Sequence, residues 1–137
     1  MIVITCLDDR GGVMFNRRRQ SQDRILRERI ASMTAGGRLW MSRYSAGQFE
    51  GEALPNLTVD DDFLQKAAEG DYCFVEGAAL APFEARITGV ILFRWNRTYP
   101  ADSWFDLTLE PGRWRLTERA EFAGHSHDVI TMEVYSG

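Results

Sequence analysis

The sequence is poor in several residue types whose chemistry would settle its function. Its 137 residues include one lysine (Lys66), two cysteines, two histidines and four prolines. Cys6 and Cys73 do not make a disulfide framework in a chain of this length. Both sit in apolar, strand-like runs and read as small buried hydrophobes, as expected of a protein from a reducing cytoplasm. With only His125 and His127, a histidine-rich metal centre runs short of ligands. No run approaches the roughly 18 apolar residues of a membrane span, and the first residues carry no charged-then-apolar leader pattern. The net charge of -4 and pI near 5.2 argue against non-specific binding to nucleic acid or to an anionic membrane surface. There is no repeat, no low-complexity linker, and no P-loop or GxGxxG pattern.

What is present is a full core composition, 45% hydrophobic and 12% aromatic, which fits one domain over residues 1–137. The charge is uneven. Residues 1–30 hold seven arginines against Asp8, Asp9, Asp23 and Glu28, whereas the rest of the chain is strongly acidic. Arginine suits bidentate binding of oxyanions.

Ile2 to Leu7 reads as a buried strand, broken by the loop Asp8-Asp9-Arg10-Gly11-Gly12. Ser21 is a plausible N-cap for a helix from Gln22 to Thr34, whose Ile25, Leu26, Ile30 and Met33 share a face. Arg38 to Tyr44 reads as a second strand, with a short helix over Ser45 to Phe49. Leu57-Thr58-Val59 is a minimal strand. Asp60-Asp61-Asp62 opens a helix through Ala68, where acids complement the helix dipole. Tyr72 to Val75 and Gly89 to Trp95 are two further buried strands, separated by a helical Ala78 to Arg86. Alternating β and α elements predict a mostly parallel sheet with crossover helices. The last third alternates instead. Trp114 to Phe122 and Val129 to Tyr135 predict an antiparallel hairpin around the turn Ala123 to Asp128. The expected class is α/β, a three-layer α/β/α domain with a C-terminal antiparallel hairpin.

Asp23 falls at the border of the buried helical stripe. It reads either as a partly desolvated carboxylate with a raised pKa, able to pass on a proton, or as a first-turn acid answering the helix dipole. Arg17, Arg18 and Arg19 are placed to clamp phosphate or carboxylate, or else form a solvated loop. His125-Ser126-His127-Asp128 begins like the HxHxDH cluster of metallo-β-lactamase-type hydrolases and nucleases, but the remaining ligands are missing. Asp60, Asp61 and Asp62 suit helix capping better than a divalent cation. No Ser-His-Asp or Cys-His arrangement is supported: Cys6 and Cys73 lack an adjacent His and read as inert.

The order of elements resembles a shortened dihydrofolate reductase fold. The resemblance rests on Met1 to Gly12 with Asp23, on Leu39 to Ser45, on Tyr72 to Gly77, and on Asp102-Ser103-Trp104-Phe105 followed by Trp114 and the strand Ile130 to Tyr135. It implies that Asp23 occupies the family's proton-relay position. Arg18 and Arg27 replace two aromatic residues, the second of which packs on the pterin. Phe93 takes the place of the threonine that supports the acid. Glu76 replaces the first glycine of the pair that lets the pyrophosphate of NADPH approach, with Gly77 the second. Arg43 and Ser45 are what remains for the cofactor's phosphates.

The expected function is therefore binding of a small anionic ligand, or a partner, in the reductase cleft, through Arg18, Arg27 and Phe93, without folate reduction. The alternative is an NADPH-dependent reductase using Asp23 as proton relay, with Arg43, Ser45 and Gly77 on the cofactor. A metal-dependent nuclease through His125 and His127 is remote.

Overall fold

The computed structural model describes residues 1–137. Its centre is β1 (Ile2–Leu7), whose residues alternate between two apolar layers. β1 pairs in parallel with β6 (Tyr72–Phe74) on one side and β7 (Gly89–Arg94) on the other. Five of the six β7 residues are buried, which is why this strand reads as a continuous apolar run rather than an alternating one. Outward from β6 lie β4 (Leu39–Met41) and β5 (Leu57–Val59), both parallel. Outward from β7 lie β10 (Ile130–Ser136) and β9 (Arg115–Phe122), both antiparallel to their neighbours. The seven-stranded order is β5-β4-β6-β1-β7-β10-β9. Strand β9 closes one edge, and its charged residues Arg115, Glu118, Arg119 and Glu121 are exposed there, a composition that discourages edge pairing.

One face of the sheet is covered by α1 (Arg24–Met33), through Leu26 and Ile30, and by α2 (Arg43–Gln48) with the adjoining Phe49, which packs edge-on against Phe74. The other face receives Phe63 and Leu64 of α3 (Phe63–Lys66), together with Leu80, Leu107 and Trp114. A 3-10 turn, Ala81–Arg86, replaces the α-helix expected over Ala78 to Arg86, with Pro82 at its start. The α3 helix is a single turn, and Ala67 is already extended, so the expected helix through Ala68 stops early.

Three local expectations need correction. The N-cap of α1 is Asp23, not Ser21, so the helix starts two residues later than its apolar spacing indicates. The second strand ends at Met41, because Ser42 turns the chain and caps α2, its hydroxyl oxygen accepting the Ser45 amide. The segment after Gly11 is not an open loop. It forms a small sheet of β2 (Gly12–Phe15), β3 (Arg18–Arg19) and β8 (Ser103–Trp104), in the order β3-β2-β8. The β2–β3 turn has two central residues, Asn16 and Arg17, with φ of +50° and +60°. Left-handed backbone at both positions is the type I′ geometry of tight hairpins.

Candidate functional site

The glycines after β1 serve the protein's own carboxylate. Asp8 is buried, and its Oδ1 accepts the amides of Arg10 at 2.9 Å and Gly12 at 2.8 Å. Its Oδ2 accepts Gln20 Nε2 and the Tyr99 amide, both at 3.2 Å. Burial by itself would raise the Asp8 pKa, but these donors together lower it. A Cβ on Gly12 would lie 2.7 Å from that of Ala101, so this glycine is required for packing. The strand exit is an Asp-centred turn rather than a phosphate cradle.

Asp23 stands at the start of α1 with its side chain fully buried. Six hydrogen bonds converge on its two oxygens. Oδ1 accepts the amides of Ile25, Leu26 and His125; Oδ2 accepts the amide and hydroxyl of Ser126 and lies 2.9 Å from His127 Nδ1. Burial pushes the Asp23 pKa up, but the His125 amide, the His127 imidazole and the amides of Ser126 and Leu26 outweigh it. They hold the carboxyl well below the usual range. The shift is opposite to the one a proton relay at neutral pH needs.

His127 is the residue that completes this cluster. Its ring is stacked on Trp95 at 4.5 Å, and its Nε2 lies 2.9 Å from Ser21 Oγ and 3.2 Å from the Tyr99 hydroxyl. Ser21, Asp23 and His127 are therefore one hydrogen-bonded array, which residue order alone did not indicate. The turn between β9 and β10 brings them together. Gly124 lets it lie flat on α1, since a Cβ there would stand 2.6 Å from Asp23 Oδ2. His125 diverges from His127, its ring meeting Arg24 Nη2 at 3.3 Å. No group of three or more His, Cys, Asp or Glu side chains is arranged around a metal position. The three consecutive acids separate likewise: Asp60 bonds Lys66 at 2.5 Å, Asp61 caps the Arg43 amide, and Asp62 makes no capping bond.

The arginines divide into two kinds. Arg19 forms a two-pronged ion pair with Glu76, Nε to Oε2 at 2.9 Å and Nη2 to Oε1 at 3.1 Å, and its guanidinium lies over the Tyr44 ring. Arg27 meets Glu52 at 3.5 Å and Gln22 Oε1 at 3.2 Å. Arg17 and Arg18 remain exposed on the β2–β3 hairpin, and Arg18 is not brought against Arg27's partners. Phe93 is fully buried, edge-on to Phe122, and has no surface to offer a ligand; its expected binding role is corrected to a core role. Arg43 is exposed at the first turn of α2, and Ser45 is buried beneath it, 3.2 Å from the Ser42 hydroxyl.

The strand-end region where the resemblance would seat a dinucleotide is filled by these side chains. Thr5, Cys6, Arg19, Gln20, Ser21, Glu76 and Trp95 border an internal space of about 10 Å³, the size of a single water. Met14 packs its sulfur onto Gly77, 2.7 Å from where a Cβ would be, so the approach that glycine leaves open is taken by a thioether. These residues do not fit NADPH. A separate hollow of about 260 Å³ opens beside Gly77, lined by Met14, Arg17, Glu76, Asp102 and Ser103.

No protein-family model matches the chain, and no curated protein matches it by sequence. Among solved structures it is similar to the dihydrofolate reductase of Enterococcus faecalis complexed with NADP(H) and RAB-propyl. The superposition has a TM-score of 0.67 at 13% identity, covering 98% of this chain and 94% of that one. The fold is that of dihydrofolate reductase, and at this identity the likeness extends to the fold alone.

Proposed function

We propose that this dihydrofolate reductase-like domain binds a small oxyanion at the β2–β3 hairpin and does not carry out hydride transfer. The observation that carries this reading is the state of Arg17. It borders the 260 Å³ hollow, and the acids around it already have partners: Glu76 is paired with Arg19, and Asp102 accepts the Asn16 amide at 3.0 Å. Arg17 and its neighbour Arg18 thus make no salt bridge, and Arg17 lines the open hollow with the Ser103 hydroxyl as a further donor and Asp102 as the one carboxylate there that has no cation of its own. Arg17 is also held at φ +60°, where glycine fits better and an L side chain costs about 1–2 kcal/mol. A strained arginine at a turn that favours Asn-Gly points to a use for its side chain.

The test separates strain from binding. Arg17→Gly is expected to hold or raise the melting temperature, because the turn becomes Asn-Gly. The same variant, and Arg18→Ala more weakly, should reduce the thermal shift produced by phosphate or citrate. Arg27→Ala is the control, since Glu52 already neutralises that residue. An unchanged shift in Arg17→Gly overturns the proposal. NADPH titrated against the fluorescence of Trp95, which borders the filled cleft, should give no saturable quenching up to millimolar concentration. Saturation in the micromolar range would restore the reductase reading.

A further inference from the structure

The cluster at the start of α1 has chemistry that anion binding at the hairpin does not use. His127 is held from three sides: Asp23 Oδ2 on Nδ1 at 2.9 Å, the Trp95 ring against its face, and Ser21 Oγ on Nε2 at 2.9 Å. With its Nδ1 proton directed at a carboxylate that stays ionised, the neutral ring carries its lone pair on Nε2 and accepts the serine hydroxyl proton. The gradient of exposure matches these roles. The Asp23 side chain is 0% exposed and that of His127 4%, while Ser21 is only half-buried. A buried carboxylate held by backbone amides and set 2.9 Å from Nδ1 is suited to fixing a histidine tautomer.

We infer that Ser21, His127 and Asp23 form a nucleophilic acyl-transfer centre for small carboxylic esters. Ser21 Oγ attacks the ester carbonyl carbon as its proton passes to His127 Nε2. The carbon–oxygen bond to the alcohol then breaks, and the departing oxygen takes that proton. The acyl group is left as an ester on Ser21. Water, giving its proton to Nε2 in the same way, releases the carboxylic acid and restores the serine. Asp23 orients the imidazole and stabilises its charged form throughout. The backbone amides of Ser21 and Gln22 make no backbone hydrogen bond in the fold, which leaves them free to donate to an oxyanion. The space inside Ser21 is about 10 Å³, room for no more than a water, so the ester must approach Ser21 from its solvent side and a small acyl group is favoured. Tyr99 also has its hydroxyl near His127 Nε2, at 3.2 Å, and is the competing nucleophile.

The experiment treats the full chain with p-nitrophenyl acetate and, separately, with a fluorophosphonate probe, and maps adducts by mass spectrometry. The expected result is one adduct per chain at Ser21. In Ser21→Ala labelling of the chain should be lost while the chain stays folded, and in Tyr99→Phe the Ser21 adduct should persist. Asp23 and His127 variants are avoided as primary tests because they disturb folding. No adduct on the wild type, an adduct mapped to Tyr99, His125 or any other residue, or equal labelling of Ser21→Ala each overturns the assignment.

Discussion

Asp23 and Glu76 are two sequestered carboxylates that the same fold answers in opposite ways. Asp23 has no cation beside it other than what His127 supplies when protonated. Its charge is held by backbone amides, a hydroxyl and an imidazole, all fixed by the α1 start and the β9–β10 turn. Glu76 is held by one flexible guanidinium, and both partners keep some exposure, 20% for the Arg19 side chain and 11% for Glu76. Preorganised dipoles hold a charge firmly because they belong to rigid elements, whereas an ion pair on long side chains is screened and can open. The first arrangement therefore serves the fold and positions His127. The second serves to plug a cleft.

The firmest way to break this contrast is at Asp23. Asp23→Asn keeps the shape but turns an NH₂ toward groups that donate, leaving several donors unpaired in the interior. We expect a loss of about 3–5 kcal/mol in urea unfolding. The pH dependence supplies the second readout. A carboxyl whose folded pKa lies below its unfolded value contributes stability that is complete above about pH 4. That share is lost as pH falls through the lower folded pKa. The wild type should lose stability on acidification below about pH 4, and Asp23→Asn should lack that component. A variant with wild-type stability and the same acid profile would mean the four contacts from the turn do not hold the hairpin to the helix.

A smaller effect tests the same latch sterically. Gly124→Ala adds one methyl 2.6 Å from Asp23 Oδ2 and 2.9 Å from the His127 carbonyl oxygen. Neither neighbour is free to move without breaking hydrogen bonds, so the cost should be about 1–3 kcal/mol, read from the melting transition. Trp95 fluorescence should change as the stacked His127 ring lifts with the turn. An unchanged melting temperature would show that the turn is not seated on α1.

The sequence made the sheet legible because its inner strands are short, apolar and bounded by glycine. Ile2 to Leu7 and Gly89 to Arg94 need no long-range information to be recognised. The C-terminal alternation likewise separated β9 and β10 from the parallel strands. Asp23 is legible as a residue of interest but not in its role, because four of its six contacts come from residues 102 to 104 positions away. In the sequence His127 reads as a turn histidine or, with His125 and Asp128, as part of an incomplete metal cluster, because its true partners are distant in the chain. A serine two residues before a helix-capping aspartate was the available signal for Ser21. It becomes informative only once the hairpin turn is known to fold onto that cap. The β2–β3 hairpin was missed because Asn16-Arg17 lacks the glycine that ordinarily marks a type I′ turn.

The smallest expected effect, and the sharpest for the comparison, is at the plug. Glu76→Gln removes the charge that Arg19 answers while keeping its size. Because the pair is partly exposed, the stability cost should be about 1 kcal/mol or less, well under that of Asp23→Asn. The informative change lies elsewhere. Arg19 loses its counter-charge yet stays beside Tyr44, whose ring and carbonyl still hold it, the latter at 3.2 Å. It then becomes a third uncompensated arginine near Arg17 and Arg18, and phosphate should produce a larger thermal shift in Glu76→Gln than in the wild type. Glu76 also raises the Cys6 thiol pKa, second to burial, so the variant's thiol should react faster with an alkylating reagent at alkaline pH. A stability loss as large as that at Asp23, with no gain in phosphate response, would mean that Glu76 is held as rigidly as Asp23. The distinction between latch and plug would then fail.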